Sequence, residues 1–202
     1  MKTEASAAGT KGVPRGERER QILDIAAEQF AVHGFAGASM ATIAERAGIS
    51  KPLIYSYFGS RDQLHMACVH RAGEPLVAAV AAAQGNVPAG ALAARTMRAI
   101  FATLNEHRHD WAVLYDPTLP AATASGKAAH EYRKALNGMG AAGTTEILAA
   151  SGSTDPDDRS LLTHIWFSTV SAVVRWWQDH PEHTAEDMAQ RCERIIAALT
   201  TI

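Results

Sequence analysis

Between Ser50 and Phe58 the chain reads S-K-P-L-I-Y-S-Y-F, a set of side chains suited to reading duplex DNA. In a helix Ile54 and Phe58 lie one turn apart and face inward. Lys51, Pro52, Leu53, Tyr55, Ser56 and Tyr57 are left at the front and flanks. Lys51 can neutralise a phosphate or donate to guanine, and Pro52 and Leu53 can pack on a thymine methyl. The hydroxyls of Tyr55 and Tyr57 can donate to phosphates.

The neighbouring residues explain how such a helix would be held. Ser39 is a good N-cap, and Ile43, Ala44 and Ala47 follow on one face of a short helix. Gly48 ends it, Ile49 fills the corner, and Ser50 or Lys51 caps the next helix with Pro52 in its first turn. This is the helix-turn-helix arrangement, whose second helix can enter a major groove. The bland alternative is an ordinary helical hairpin. A supporting helix runs from about Gly16 to His33, with Leu23, Ala26, Ala27 and Phe30 as its core stripe and Gly34 as its end. Ser60 and Gln63 form a capping box that starts a fourth helix. Gly73, Glu74 and Pro75 read as a hinge or helix break beyond it.

The run A-T-I-A-E-R-A-G-I-S-K-P-L-I-Y-S-Y-F, preceded by H-G-F-A-G-A-S and followed by G-S-R-D-Q-L, resembles the DNA-binding domain of TetR-family transcriptional regulators. The resemblance covers about Arg18 to Ala67. It implies an all-α homodimer with an N-terminal three-helix DNA-binding domain and a larger C-terminal helical domain that binds a small molecule. Lys51, Pro52, Leu53, Tyr55 and Tyr57 match the positions that contact DNA, and Ser39 and Arg61 match phosphate contacts. Many members carry a glycine and a small hydroxyl residue where this chain has Pro52 and Leu53, which bears on base preference.

With 202 residues, 47% of them apolar, the chain is a folded protein with room for one good core or two small ones. The net charge of −2 creates no strong overall field, so any basic footprint is local. Divided at Gly73, the first part is net positive and the remainder net negative. Cys68 and Cys192 have no paired spacing, which fits a reducing cytoplasm and argues against a disulfide framework or zinc knuckle. No apolar run approaches a membrane span, and the first residues lack the apolar centre of a signal peptide. The expected organisation is a flexible arm over 1–14, a helix-turn-helix domain over 15–73, and a ligand-binding and dimerisation domain over 74–202.

In the C-terminal part, Met97, Phe101, His107, Trp111, Tyr115, Tyr132, Trp166 and Phe167 are candidate walls of a small-molecule cavity, aromatic with a few polar tips. The stretch from Leu161 to Gln178 is apolar on most sides and asks for cover from a second copy. Leu162, Trp166 and Val173, with Ile195, Ile196 and Leu199 of the last helix, are the expected dimer contacts. Two other patterns carry less. Gly138, Gly140 and Gly143 match G-x-G-x-x-G without the strand that a phosphate loop needs, so close helix packing is the better reading. His107 and His109 do not share a helix face and have no cysteine nearby, so no metal is expected. No cofactor and no catalytic residues are expected. The favoured function is a cytoplasmic, ligand-responsive DNA-binding regulator, a repressor released from operator DNA by an apolar or aromatic-compatible molecule. The alternatives are a small helical enzyme or carrier, and an adaptor without a ligand.

Overall fold

The structure, a computed structural model, describes residues 13–85 and 87–200, the side chains of 199 and 200 excepted. Almost all of the expected arm and the Leu199 side chain therefore lie outside the described residues. The described residues form helices and no strand: α1 (Arg15–Gly37), α2 (Met40–Arg46), α3 (Lys51–Phe58), α4 (Arg61–Gln84), α5 (Ala89–Leu104), α6 (Asp110–Leu114), α7 (Ala124–Ala150), α8 (Pro156–Asp179) and α9 (Ala185–Thr200). The all-α class expected from the sequence is the one observed. No helix is long and apolar enough to cross a membrane among the described residues.

The long α1 and the short α2 and α3 make a head. Ile22, Ala26, Ala27 and Phe30 of α1, Ile43 and Ala44 of α2, and Ile54 of α3 are buried together with Leu64 of α4. The local starts are those the sequence announces. Ser39 accepts from the Thr42 N–H, Ser50 from Leu53 and Ser60 from Gln63, each relieving a helix N-terminus. Gly48 adopts φ +63° at the turn between α2 and α3, a left-handed conformation that glycine accepts without strain.

The regular run of α1 ends at Gly34 as expected. Gly34 is non-helical, at φ +67° and ψ 170°, and beyond this kink a further short helical run reaches Gly37. The kink is fastened from the C-terminal part of the chain. Asp116 accepts from the Phe35 N–H, and also from the N–H and hydroxyl of its neighbour Thr118. A side chain at Gly34 would also strike Thr118, its Cβ falling 2.5 Å from Oγ1.

The expected break at Gly73–Pro75 is absent. α4 runs unbroken from the head into the body, with Pro75 inside it. Pro75 is exposed, while Ala72, Gly73, Leu76 and Val80 are buried. Packing along that buried side outweighs a proline cost of about 3 kcal/mol. Gly73 serves close approach and not hinging, because a Cβ there would lie 2.3 Å from the Tyr132 ring of α7. Gly73→Val is accordingly expected to force α4 and α7 apart and to destabilise the fold by about 1–3 kcal/mol. A urea denaturation midpoint checks this, and an unchanged midpoint would contradict the packing role.

The body is α5 to α9 around the second half of α4. Phe101 meets Trp177 edge to face at 5.3 Å, and the Arg108 guanidinium lies 4.3 Å from the Trp177 ring centre. Thr184 and Asp187 cap α9 reciprocally.

Head and body are joined by more than α4. Arg71 of α4 forms a two-pronged pair with buried Asp110 of α6 and reaches Asp24 of α1. Burial raises the Asp110 carboxyl pKa while Arg71 acts the other way. Asp62, in the first turn of α4, accepts from the backbone of Ala124 and Ser125 and from the Ser125 hydroxyl, so it caps α7. The α6–α7 segment is tied to the head at Asp110, Asp116 and Ser125.

His65 is buried between Phe30 and Phe35, 4.5 and 5.1 Å from their ring centres, with neither ring nitrogen partnered. Burial pushes its pKa down to about 4, with Asp116 and Asp62 acting the other way. An unfolded histidine titrates near pH 6.5. Between those values the unfolded chain binds more protons than the folded one. The stability that His65 leaves intact above about pH 6.5 is lost as the pH falls toward 4, by up to about 3 kcal/mol. His65→Leu is expected to remove this part of the slope, read from urea midpoints at about pH 7.5 and about pH 5.

Candidate nucleic-acid interface and effector cleft

In α3 the buried and exposed sides separate as the sequence requires. Ile54 and Phe58 point into the head, while Lys51, Pro52 and Tyr55 are exposed and Leu53 and Tyr57 are half-buried. Tyr57 is held by Arg15, whose guanidinium lies 5.1 Å from the ring centre. The Ser56 hydroxyl donates to the Leu53 carbonyl, which leaves only its acceptor capacity for a partner. Behind the face, Arg46 of α2 is paired with Glu28 of α1, lowering the Glu28 pKa and raising that of Arg46. Arg18 reaches the Ala47 carbonyl at the turn. The result is a short helix that presents a cation, a proline and tyrosine hydroxyls on a braced support.

Ser39 stands exposed at the start of α2, with its hydroxyl engaged as the cap. Arg61 does not project as a free cation. Its guanidinium lies 4.8 Å from the Phe35 ring centre, and Nε and Nη2 are buried without hydrogen-bond partners. Among the described residues of α1 to α3 the exposed Arg and Lys side chains are Arg15, Arg20, Arg46 and Lys51, of which Arg46 is paired with Glu28.

The cavity residues expected from the sequence fall into two sets. Trp111, Tyr115, Trp166 and Phe167 come together. The Trp111 and Tyr115 rings stack at 4.5 Å, and with Phe167 they line two spaces at once. On one side is an open cleft of about 800 Å³ that reaches the Gly34 kink of α1. On the other is an internal void of about 20 Å³ between α4, α5, α7 and α8, lined also by Trp166, Leu136, Gly140 and Val170. The void has room for about one water. Gly140 is its tightest point, since a Cβ there would lie 2.7 Å from Phe167.

Met97, Phe101, His107 and Tyr132 lie elsewhere. Met97 and Phe101 are buried core. His107 faces Asp24 of α1 at 3.5 Å. Tyr132 packs on Gly73, and its hydroxyl meets His70 and Glu74. Sequence reasoning missed the polar side of the cleft, which includes His33, Asn137, His164, Ser168, Ser171 and Arg175. One signal was available: His164, Ser168, Ser171 and Arg175 recur at i, i+4, i+7 and i+11, a polar stripe on a mostly apolar helix.

The outer face of α8 and α9 is apolar and open. Leu161, Ile165, Trp176 and Ile195 are 61, 49, 41 and 58% exposed. Between the helices a groove of about 600 Å³ is lined by Val173, Trp176, Met188, Cys192 and Ile195 among others. Of the expected dimer residues, Val173 and Ile195 belong to this groove, while Leu162 and Ile196 are half-buried. Trp166 turns away from it, toward Gly140 and the internal void.

Two short helices joined at Gly48, a long helix running from head to body and an open cleft beside their junction make a helix-turn-helix head on a helical body. Residues 22–68 match the model of bacterial regulatory proteins of the tetR family. The HTH-type transcriptional activator FasR of Mycolicibacterium smegmatis is 43% identical over 68 residues, 34% of this chain and 31% of that protein. The chain thus matches less than a third of this curated relative's length. Over nearly the whole chain the fold is that of a TetR-like transcriptional regulator from Rhodococcus, at 28% identity and a TM-score of 0.68, covering 94% of this chain and 99% of that one. A regulator from Bacillus subtilis, FadR in complex with stearoyl-CoA, shares the fold at 19% identity and a TM-score of 0.61, over 89% and 96% of the two chains. Residues 22–68 thus match the DNA-binding domain of TetR-family regulators, and the chain as a whole is similar in fold to a TetR-like regulator.

Proposed function

We propose that the chain is a homodimeric, sequence-specific DNA-binding repressor whose grip on its operator is loosened by a small molecule in the cleft of α1, α6, α7 and α8. The observation that carries this reading is α3, which buries Ile54 and Phe58 and turns Lys51, Pro52 and Tyr55 outward. Lys51, Pro52, Leu53, Tyr55 and Tyr57 are the proposed groove contacts, with Ser39 and Arg15 at the backbone. The relative named an activator matches over only 68 residues, so its mode of action does not decide between activation and repression here.

The dimer is proposed through the open faces of α8 and α9, where apolar side chains ask for cover. An apolar or aromatic-compatible effector would enter beside Trp111 and Tyr115. It acts on DNA only by binding one head position better than another. The cleft supports such coupling, because its walls include both the α1 kink and the α6–α7 segment tied to the head. The alternative of a small enzyme or carrier draws no support from relatives that are named as regulators.

The experiment is a mobility-shift assay of the full chain against DNA upstream of its own gene. A discrete complex that survives excess unrelated DNA is expected. Titration calorimetry of an effector found by screening, with and without that DNA, then tests control. A coupling of about 1–3 kcal/mol is expected, and equal affinities in the two titrations would sink the mechanism.

A further inference from the structure

We propose that the cleft takes an amphipathic anion, with an apolar body seated behind Trp111 and Tyr115 and a carboxylate or phosphate held at the mouth by Arg175. The proposal rests on reading this cleft as the effector site, and it adds the ligand's charge and direction.

Three observations carry it. First, the ionised groups among the cleft's lining residues are Arg175 and Asp116, with His33 and His164 as further polar neighbours. Asp116 is spent on the fold, because its two oxygens accept from Phe35 and Thr118. Asp116 keeps its charge, but its oxygens are turned to Phe35 and Thr118 and it forms no ion pair with Arg175, so the guanidinium remains open as a planar donor set for a carboxylate or phosphate. Second, the Tyr115 hydroxyl is buried without a partner at the wall between cleft and void. A buried hydroxyl left unpaired is costly, and a ligand oxygen would satisfy it. Burial pushes the Tyr115 pKa up to about 12, so the group remains a neutral donor. Third, the space behind the Trp111–Tyr115 stack is lined mainly by Leu136, Gly140, Trp166 and Val170. The polar pair there, Gln84 and Thr96, is bonded to itself at 3.3 Å. An apolar end is favoured inside and a charged end outside. The internal void of about 20 Å³ is too small as it stands, so the aromatic pair must swing to admit the body.

The direction has a consequence for control. A ligand with its charge on α8 and its body behind α6 pushes on the segment that Asp110 and Asp116 tie to the head.

The test uses the full chain and three probes of one shape: 4-phenylbutyrate, 4-phenylbutyl phosphate and 4-phenylbutanol, each titrated by calorimetry without DNA. At least one anion is expected to bind about tenfold or more tighter than the alcohol. The two anionic arms decide between carboxylate and phosphate. Arg175→Gln is expected to bring the anion down to the level of the alcohol and leave the alcohol unchanged, and Arg175→Lys to keep part of the preference. The proposal is overturned if the alcohol binds as tightly as both anions, if Arg175→Gln preserves the preference, or if no probe binds at millimolar concentration. Operator binding by the same preparations separates the two readings. A chain that binds its operator but shows no anion preference refutes this proposal alone. Anion binding by a chain that ignores DNA refutes the proposed regulator.

Discussion

Replacing Lys51, Tyr55 and Tyr57 together by alanine is expected to lower operator affinity by about a hundredfold or more, while the chain remains folded. Each lost base or phosphate contact is worth about 1–3 kcal/mol, and a dimer loses each twice. The fold should survive because Ile54 and Phe58 carry the head's buried core, against which Tyr57 packs only partly buried while Lys51 and Tyr55 are exposed. The single replacements should differ in kind. Lys51→Ala should reduce the salt dependence of binding by about one counterion per protomer, as loss of a phosphate contact does. Tyr57→Phe should matter less than Tyr57→Ala, because the ring is also the surface on which Arg15 rests. Fluorescence anisotropy at several salt concentrations measures all of this. An unchanged affinity in the triple variant would remove α3 from the DNA interface.

The second large effect concerns assembly. Ile165→Glu combined with Trp176→Glu is expected to convert the proposed dimer to a monomer, because both side chains are large, apolar and open on α8. A charge on each cannot be desolvated against its own copy without a heavy cost. Sedimentation should show the mass halve, and operator affinity should fall with it, since a monomer engages one half-site. A parent chain that sediments as a stable, soluble monomer would refute the proposed interface. Trp166 is a poor probe of this interface, although its spacing first placed it there. It packs on Gly140, so a charge at Trp166 would damage the interior instead.

These particulars show where sequence is a sufficient guide. The helix-turn-helix was legible because its determinants are local. Ser39, Ser50 and Ser60 each cap the residue three positions on, and the inward pair of α3 is one turn apart. Pro75 was misleading because its tolerance depends on what packs on the opposite side of α4, which no local rule contains. Arg61 turned inward because Phe35, from a distant stretch of chain, supplies an aromatic face for it. In the body, apolar spacing identified the helices but could not separate core from cavity wall. Phe101 and Trp111 look alike in sequence, yet one meets Trp177 in the interior and the other borders the cleft. The polar half of the cleft escaped because it gathers side chains from α1, α7 and α8, and only the α8 stripe repeats at a readable interval. Asp62, Asp110 and Asp116 were unremarkable as single acids. Their roles as ties between head and body appear only when their partners, 39 to 81 residues away, are brought beside them.

The central claim is that two α3 helices of one dimer read two half-sites. The most direct measurement is a footprint of the full chain on the DNA upstream of its gene, paired with the sedimentation mass of the complex. The account predicts two protected half-sites in pseudo-palindromic order, centred about 34 Å apart or at a modestly larger spacing, with protection lost in the Lys51, Tyr55 and Tyr57 variant. Two chains should be bound per duplex, or a whole multiple of two. Protection of a single unrepeated site by one chain, or diffuse protection that disappears with competitor DNA, would contradict it.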